Sequence, residues 1–396
     1  MAAPALQFRS FRLERFFSKH EFSVKHLLCC SDAEPFAVSE LLALASDDDR
    51  KLFDSLVLHY TGAQHRHCIA CVSLAHAFPE YSGHPLLRAE IAQLFSSAVQ
   101  PEHVLCVVPQ EGILLAHALL SHGAHVVATA PGYQSLYSIA GDLGCEVDVW
   151  RPRRSERGLT FELDDLRALL RPNTAMVLTN FPHNPTGYCP TREEWRAIVA
   201  AVAATGAVLF SDEMYRGLWS TRPPCEPAVE LYEKAISLGG MSKTYGCAGL
   251  RVGWLVTRDA AAMERLSAAK DFTTICGSAP SEVLAIMALR HGEALLSRNR
   301  AIVSANMPLL NSWFAERSKD FEWTPPAGGG TTGFARIRGT ETSERFCGRV
   351  LAGCGVLMLP STEYDHCGGE QCFRIGFGRR DMPAVLAILS AFLAKP

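Results

Sequence analysis

Ser237-Leu-Gly-Gly-Met-Ser-Lys243-Thr-Tyr-Gly-Cys-Ala-Gly-Leu-Arg251-Val-Gly-Trp254 sets one lysine among small and apolar residues and an arginine eight positions later. A lysine on a solvated face normally keeps charged neighbours; one ringed by Gly, Ser and apolar side chains suits a partly dry pocket. Burial disfavours the ammonium form there and readies the amine for imine chemistry. Small neighbours let a flat ring approach the backbone. The forked, permanently charged Arg251 suits a phosphate. A glycine-rich turn with two surface cations fits the local composition as well, so the rest of the chain has to decide.

The 396 residues give room for two or three domains, and 48% hydrophobic with 20% charged residues is the balance of a soluble globular chain. A net charge of −3 gives no electrostatic reason to expect nucleic acid or an anionic membrane as partner. No apolar run approaches the roughly 18 residues of a spanning helix. The first residues lack the apolar core of a secretory signal, which makes the cytoplasm the expected location. The 14 cysteines are scattered through apolar segments and read as buried thiols. Cys68 and Cys71, preceded by His65 and His67, have metal-like spacing, but no second Cys/His pair follows at finger spacing, so no metal is expected.

Short apolar runs alternate with helical periodicity through most of the chain, and polar residues gather where the runs end. His103 to Val108 reads as a strand feeding a helix that opens at Gln110-Glu111-Gly112; outward-pointing amides at such a junction suit a phosphate. Pro109 removes one of those donors. His125 to Ala130 is a second strand, followed by a Pro-Gly turn and Tyr133. Ala175 to Asn180 ends in Phe181-Pro-His-Asn184-Pro-Thr-Gly187, an amide fixed between prolines. Ala207 to Phe210 leads into Asp212 and Tyr215, and an aspartate at the end of a buried strand needs a partner. Arg374 alternates with apolar residues in Phe373-Arg-Ile-Gly-Phe377, as either an outward charge or an inward anion clamp. Near the N-terminus, Asp32 and Glu34 read as the solvated cap of a short helix beginning near Val38, with a place at the mouth of a site as the alternative.

Asn184, Asp212, Tyr215, Lys243, Arg251 and Arg374, in that order, resemble the signature of the aminotransferase class I/II family, the fold type I enzymes that use pyridoxal 5′-phosphate. The resemblance covers nearly the whole chain. It implies an α/β fold with a large cofactor-binding domain, residues 46–295, built on a mainly parallel seven-stranded sheet. Residues 1–45 and 296–396 would form a smaller α/β domain. It also implies a Schiff base on Lys243, Asp212 against the pyridine nitrogen, and Asn184 and Tyr215 on the ring oxygen. Tyr133 would stack on the ring, with Gln110, Glu111, Ser242 and Arg251 about the cofactor. Arg374, helped by Asn184, would grip a substrate α-carboxylate.

Two positions depart from the family pattern: Pro109, and Gly240 where many relatives carry a phosphate-binding serine. In the family a tyrosine reaches across a homodimer interface to the partner's phosphate. Its spacing returns here if residues 62–79 are taken as an insert, a surface loop or translated non-coding sequence, which makes Tyr60 the first choice and Tyr81 the alternative. The implied activity moves an amino group between an L-amino acid and a 2-oxo acid. The stretches Phe181-Pro-His-Asn-Pro, Gly239-Gly-Met-Ser-Lys and Lys270-Asp-Phe-Thr-Thr-Ile-Cys look closest to a subgroup that includes capreomycidine synthase. Elimination or cyclisation of a substituted amino acid is therefore the alternative. A catalytically silent cofactor-binding protein is a third reading, favoured by the missing phosphate donors and opposed by the intact lysine.

Overall fold

The structure, a computed structural model, describes residues 7–58, 81–218, 223–326 and 328–395. Seven strands form the central sheet: β2 (Val104–Val107), β3 (His125–Thr129), β4 (Glu146–Trp150), β7 (Thr174–Asn180), β8 (Val208–Asp212), β9 (Ala235–Gly240) and β10 (Gly253–Val256). Their order is β2-β10-β9-β8-β7-β3-β4, and β10 alone runs antiparallel to its neighbours. The strands are continuous apolar runs because both faces are covered. Val126 and Ala128 on β3 pack with Ile113, Leu136 and Ile139 of the helices Pro109–His117 and Ser135–Asp142. Val127, between them, turns to Trp195, Val199 and Val202 of the helix Arg192–Thr205, as the two-residue period of a strand requires. That last helix has the start and stop its sequence implies: Thr191 and Glu194 cap each other, and Gly206 leaves it at φ 76°.

A short hairpin, β5 (Arg153–Ser155) and β6 (Gly158–Thr160), lies outside the main sheet. Beyond the long helix Gly292–Glu316, a second sheet combines β11 (Phe321–Glu322), β12 (Thr332–Ile337), β14 (Leu359–Pro360) and β15 (Cys372–Gly376), in the order β11-β12-β15-β14. The helices Ser343–Cys354 and Met382–Leu393 back it, with Phe346, Val350, Val385 and Leu389 in one core with Phe373 and Ile375. The N-terminal helix α1 (Arg12–His20) and strand β1 (His26–Leu27) join this part, since β1 pairs in parallel with β13 (Val356–Leu357).

Residues 28–34 are then stitched across the junction. The Leu28 carbonyl accepts from the Gly376 N–H at 2.7 Å, Ala33 N–H reaches the Lys243 carbonyl at 3.3 Å, and Glu34 N–H reaches the Gly378 carbonyl at 2.8 Å. The approach needs glycine. A Cβ on Gly376 would lie 2.1 Å from the Cys30 carbonyl oxygen, and one on Gly378 would lie 2.6 Å from that of Asp32.

Candidate active site

Parallel strands release their polar residues at their carboxyl ends, and five of these ends converge on one cavity. Its volume is about 390 Å³, within the range of small-molecule sites. Pro109 and Gln110 enter it after β2, Tyr133 after β3, Asn180 and Asn184 from β7 and its turn, Asp212 and Tyr215 from β8, and Ser242 and Lys243 after β9. Arg251 and Arg374 line the same cavity.

Asp212 is 5% exposed and accepts the Met214 N–H at 3.1 Å. Burial pushes its carboxyl up to about 7; neighbouring Glu213 adds to the rise, while the Met214 amide and Lys243 oppose it. Asn180 stitches β7 to β8, donating to the Asp212 carbonyl at 3.2 Å and accepting the Asn184 N–H at 2.9 Å. Asn184 Oδ1 accepts from Arg374 Nη1 at 3.1 Å and from the Tyr364 hydroxyl at 3.3 Å, which leaves its Nδ2 free to donate into the cavity. Arg374 is 1% exposed and also donates from Nε to the Cys29 carbonyl at 2.9 Å and from Nη1 to the Tyr364 hydroxyl at 2.9 Å. Its Nη2 has no protein partner among the described residues.

Lys243 is half-buried, and its Nζ donates to Ser31 Oγ at 3.2 Å. Arg251 takes φ 56° and is exposed, with Nη1 on the Ala248 carbonyl at 3.0 Å; it follows a short 3-10 turn, Ala248–Leu250. Pro109 occupies the first position of its helix, and the Gly112 N–H already bonds Val108, so the first turn offers the amides of Gln110 and Glu111 alone.

Several expectations need correction. Glu111 can serve a phosphate only through its amide, since its carboxylate does not face the cavity. Oε2 caps the Val108 N–H at 3.0 Å, and Oε1 accepts from Thr274 N–H at 3.2 Å, Thr274 Oγ1 at 2.7 Å and Thr273 Oγ1. It ties the helix start to the loop 271–277. Nor do Asp32 and Glu34 cap the helix Val38–Leu44, whose N-cap is Ala37 with Glu40 behind it. Asp32 lines the cavity, gripped by Arg379 Nη2 at 2.9 Å to both oxygens, and Glu34 accepts the Arg380 N–H at 3.0 Å. Tyr60, the 62–79 stretch, Cys68 and Cys71 lie outside the described residues; Tyr81 is 46% exposed and away from the cavity.

The profile of the family "Aminotransferase class I and II" matches residues 63–387. The chain belongs to that family. It is a pyridoxal phosphate-dependent aminotransferase of fold type I. It is 34% identical to capreomycidine synthase of Streptomyces vinaceus over 268 residues, 67% of each chain. Its fold matches that of a PLP-dependent aminotransferase from Streptococcus suis with a TM-score of 0.85 at 29% identity, over 98% of both chains. It matches the PLP-dependent cyclase OrfR with a TM-score of 0.83 at 28% identity, over 99% of both.

The residues present in this aminotransferase fit the cofactor. Among the described residues the buried Ser242 hydroxyl has no hydrogen-bond partner, and the buried Asp212 carboxylate has no cation bonded to it. Unmet polar groups of that kind are costly unless a ligand completes them. Sequence reasoning missed the cavity's other wall: Leu13, Glu14, Phe17 and Glu21 from α1 and the residue after it, with Cys30 and Ser31. A signal was present, because Glu14, Phe17 and Glu21 follow helical spacing and put two acids on the apolar face. It also missed buried Tyr364, whose hydroxyl joins Arg374 to Asn184.

Proposed function

We propose that this aminotransferase exchanges an amino group between an L-amino acid and a 2-oxo acid through Lys243. The observation that carries the reading is the convergence of Lys243, Asp212, Asn184, Tyr215 and Arg374 on one cavity. Pyridoxal phosphate, when bound, supplies an aldehyde carbon that takes up amines and a ring that accepts electrons.

The chain's own residues do the rest. Asp212 holds a proton on the ring nitrogen, because a carboxylate buried this deeply is stabilised by a cation beside it. Asn184 Nδ2 and the Tyr215 hydroxyl would donate to the ring oxygen, and Tyr133 would cover the ring face. The amides of Gln110 and Glu111, with the Ser242 hydroxyl and Arg251, hold the phosphate, for which Pro109 and Gly240 offer no donor side chain. Arg374 grips the substrate α-carboxylate with Asn184 beside it. Lys243 Nζ would take the proton from the substrate α-carbon and hold it for return.

The division into 46–295 and 1–45 with 296–396 belongs to the same reading, and the β1–β13 pairing supports grouping the N-terminal segment with the C-terminal unit. So does a homodimer. Phe272 is 93% exposed and Ile275 40% exposed on one loop, apolar surface that a second copy would cover, with Tyr60 as the residue reaching the neighbour's phosphate. A cytoplasmic location agrees with twelve described cysteines that are all free thiols.

The similarity to capreomycidine synthase and to the cyclase OrfR favours a second reading, in which the same proton abstraction leads to loss of a β- or γ-substituent or to ring closure. The decisive experiment mixes the cofactor-loaded protein with a panel of amino acids and no acceptor. Conversion of the cofactor to its aminated form with one equivalent of 2-oxo acid is the expected result. Turnover without that conversion, giving ammonia, water loss or a ring, would move the assignment to the second reading.

A further inference from the structure

The cavity has two walls of opposite sign. On the sheet side, Asp212 faces the place of the ring nitrogen, Arg251 lies at the phosphate end, and Arg374 holds the carboxylate end. With cofactor and substrate in place, each of those charges has a counter-charge. The N-terminal wall does not balance in this way. It brings three carboxylates, Glu14, Glu21 and Asp32. Glu14 accepts the Tyr133 hydroxyl at 3.1 Å, a bond that leaves its charge uncompensated, and Asp32 is paired with Arg379. The Glu21 carboxylate has neither hydrogen bond nor ion pair among the described residues.

Glu21 stands one residue beyond α1, its N–H on the Phe17 carbonyl at 2.8 Å, half-buried and held close to Asp32, Glu14, Lys243 and Arg379. Burial, with Asp32 and Glu14 as its acidic neighbours, raises its carboxyl although Lys243 and Arg379 oppose the rise, so a further cation beside it would favour its charge. Ser242, 5% exposed and without a partner in the same cavity, and Arg374, 1% exposed with Nη2 uncommitted, mark this as a built site.

We propose that Glu21, with Glu14 and Asp32 behind it, selects amino acids whose side chain ends in a cation, a guanidinium or an ammonium. Arg374 takes the α-carboxylate at one end of such a substrate, and Glu21 takes the cationic end at the other. Glu21 is a specificity residue and moves no proton. The glycines at 376 and 378 let residues 28–34 lie close enough to the sheet for Asp32 to share this wall. The inference rests on the aminotransferase reading of the same cavity and names its substrate class.

The test compares L-arginine with L-citrulline, which has nearly the same shape and no charge, in the half-reaction of the cofactor-loaded protein. A charge-assisted hydrogen bond lost on removing one partner is worth about 10- to 150-fold, so kcat/KM should favour arginine by that factor. In Glu21→Gln the arginine-to-citrulline ratio should collapse to within about threefold, through KM for arginine, while Glu21→Asp keeps part of it. A second readout needs no chemistry. 5-Guanidinopentanoate lacks the α-amino group and cannot react; by calorimetry it should bind about tenfold or more tighter than 5-ureidopentanoate, and Glu21→Gln should erase the gap. Equal use of arginine and citrulline by the unaltered protein, or a preference that survives Glu21→Gln, overturns the proposal. Efficient conversion of neutral or acidic amino acids alone also overturns it, yet leaves the aminotransferase reading intact. Failure of every amino acid to convert the cofactor would strike that reading instead.

Discussion

Asp212 and Glu21 are carboxylates of the same cavity, each raised first by burial, and they are held in opposite ways. Asp212 ends β8, the middle strand of seven, with ladder bonds on both sides. Glu21 follows a nine-residue helix that borders the cavity through Leu13, Glu14 and Phe17 and is held from outside the sheet by Gln134 and Tyr133. A strand end in mid-sheet fixes an atom tightly, as chemistry at a ring nitrogen needs. A covering helix fixes it less and varies freely without disturbing the sheet. The sheet side therefore holds what every substrate meets, and the N-terminal side holds what distinguishes one substrate from another.

Lys243 is where the two sides meet, since it leaves β9 and bonds Ser31. Its loss should have the largest effect. Lys243→Ala should lower amino-acid half-reaction rates by at least about 10⁴-fold for every substrate, and abolish the absorbance change that follows pyridoxal phosphate addition. Substantial turnover in that variant would remove Lys243 from the chemistry and the comparison with it.

Asp212→Asn keeps the shape and removes the charge. The expected fall in kcat is roughly 10²- to 10³-fold, with little change in which amino acids are preferred. Glu21→Gln should do the reverse and change preference more than rate. The same aspartate gives the cofactor-free protein a pH signature. Its ordinary value is 3.8 and its folded value about 7, so the native state binds the extra proton between them. The stabilisation is therefore full below about pH 4 and lost as the pH rises through 7. Urea midpoints of the cofactor-free protein should fall across that window. Asp212→Asn should reduce the slope, leaving the part due to other acids that burial raises, Glu282, to about 7, and Glu213 among them. An unchanged slope would mean that Asp212 is not the buried acid the geometry describes.

The two sides also differed in how far they could be read from sequence. Asp212, Asn184 and Lys243 stand where an apolar run stops, and strand alternation with turn residues marks such places locally. Asp32 was misread because the arginine that orients it lies 347 residues away, so nothing nearby distinguishes it from a helix cap. Glu14 and Glu21 were legible in principle as acids on an apolar helical face, but that pattern names no partner. The use of the Glu111 side chain went unread for a different reason. Its i,i+3 bond to the Val108 amide is local, yet Val108 has no capping side chain to announce it.

The smallest effect expected is at Ser242, and it has two opposed parts. Its hydroxyl is buried without a partner among the described residues, so Ser242→Ala relieves an unmet polar group in the cofactor-free protein and should raise its Tm slightly. In the loaded protein the same change removes a donor from the phosphate, weakening cofactor affinity by about tenfold. The gap in Tm between loaded and cofactor-free protein should therefore narrow from both ends, because bound cofactor adds stability in proportion to the logarithm of its affinity. Titration with pyridoxal phosphate beside melts of both forms separates the two parts. A raised Tm with unchanged affinity would leave Ser242 a packing residue and put the phosphate on the Gln110 and Glu111 amides and Arg251 alone, thinning the sheet side of the site by one contact.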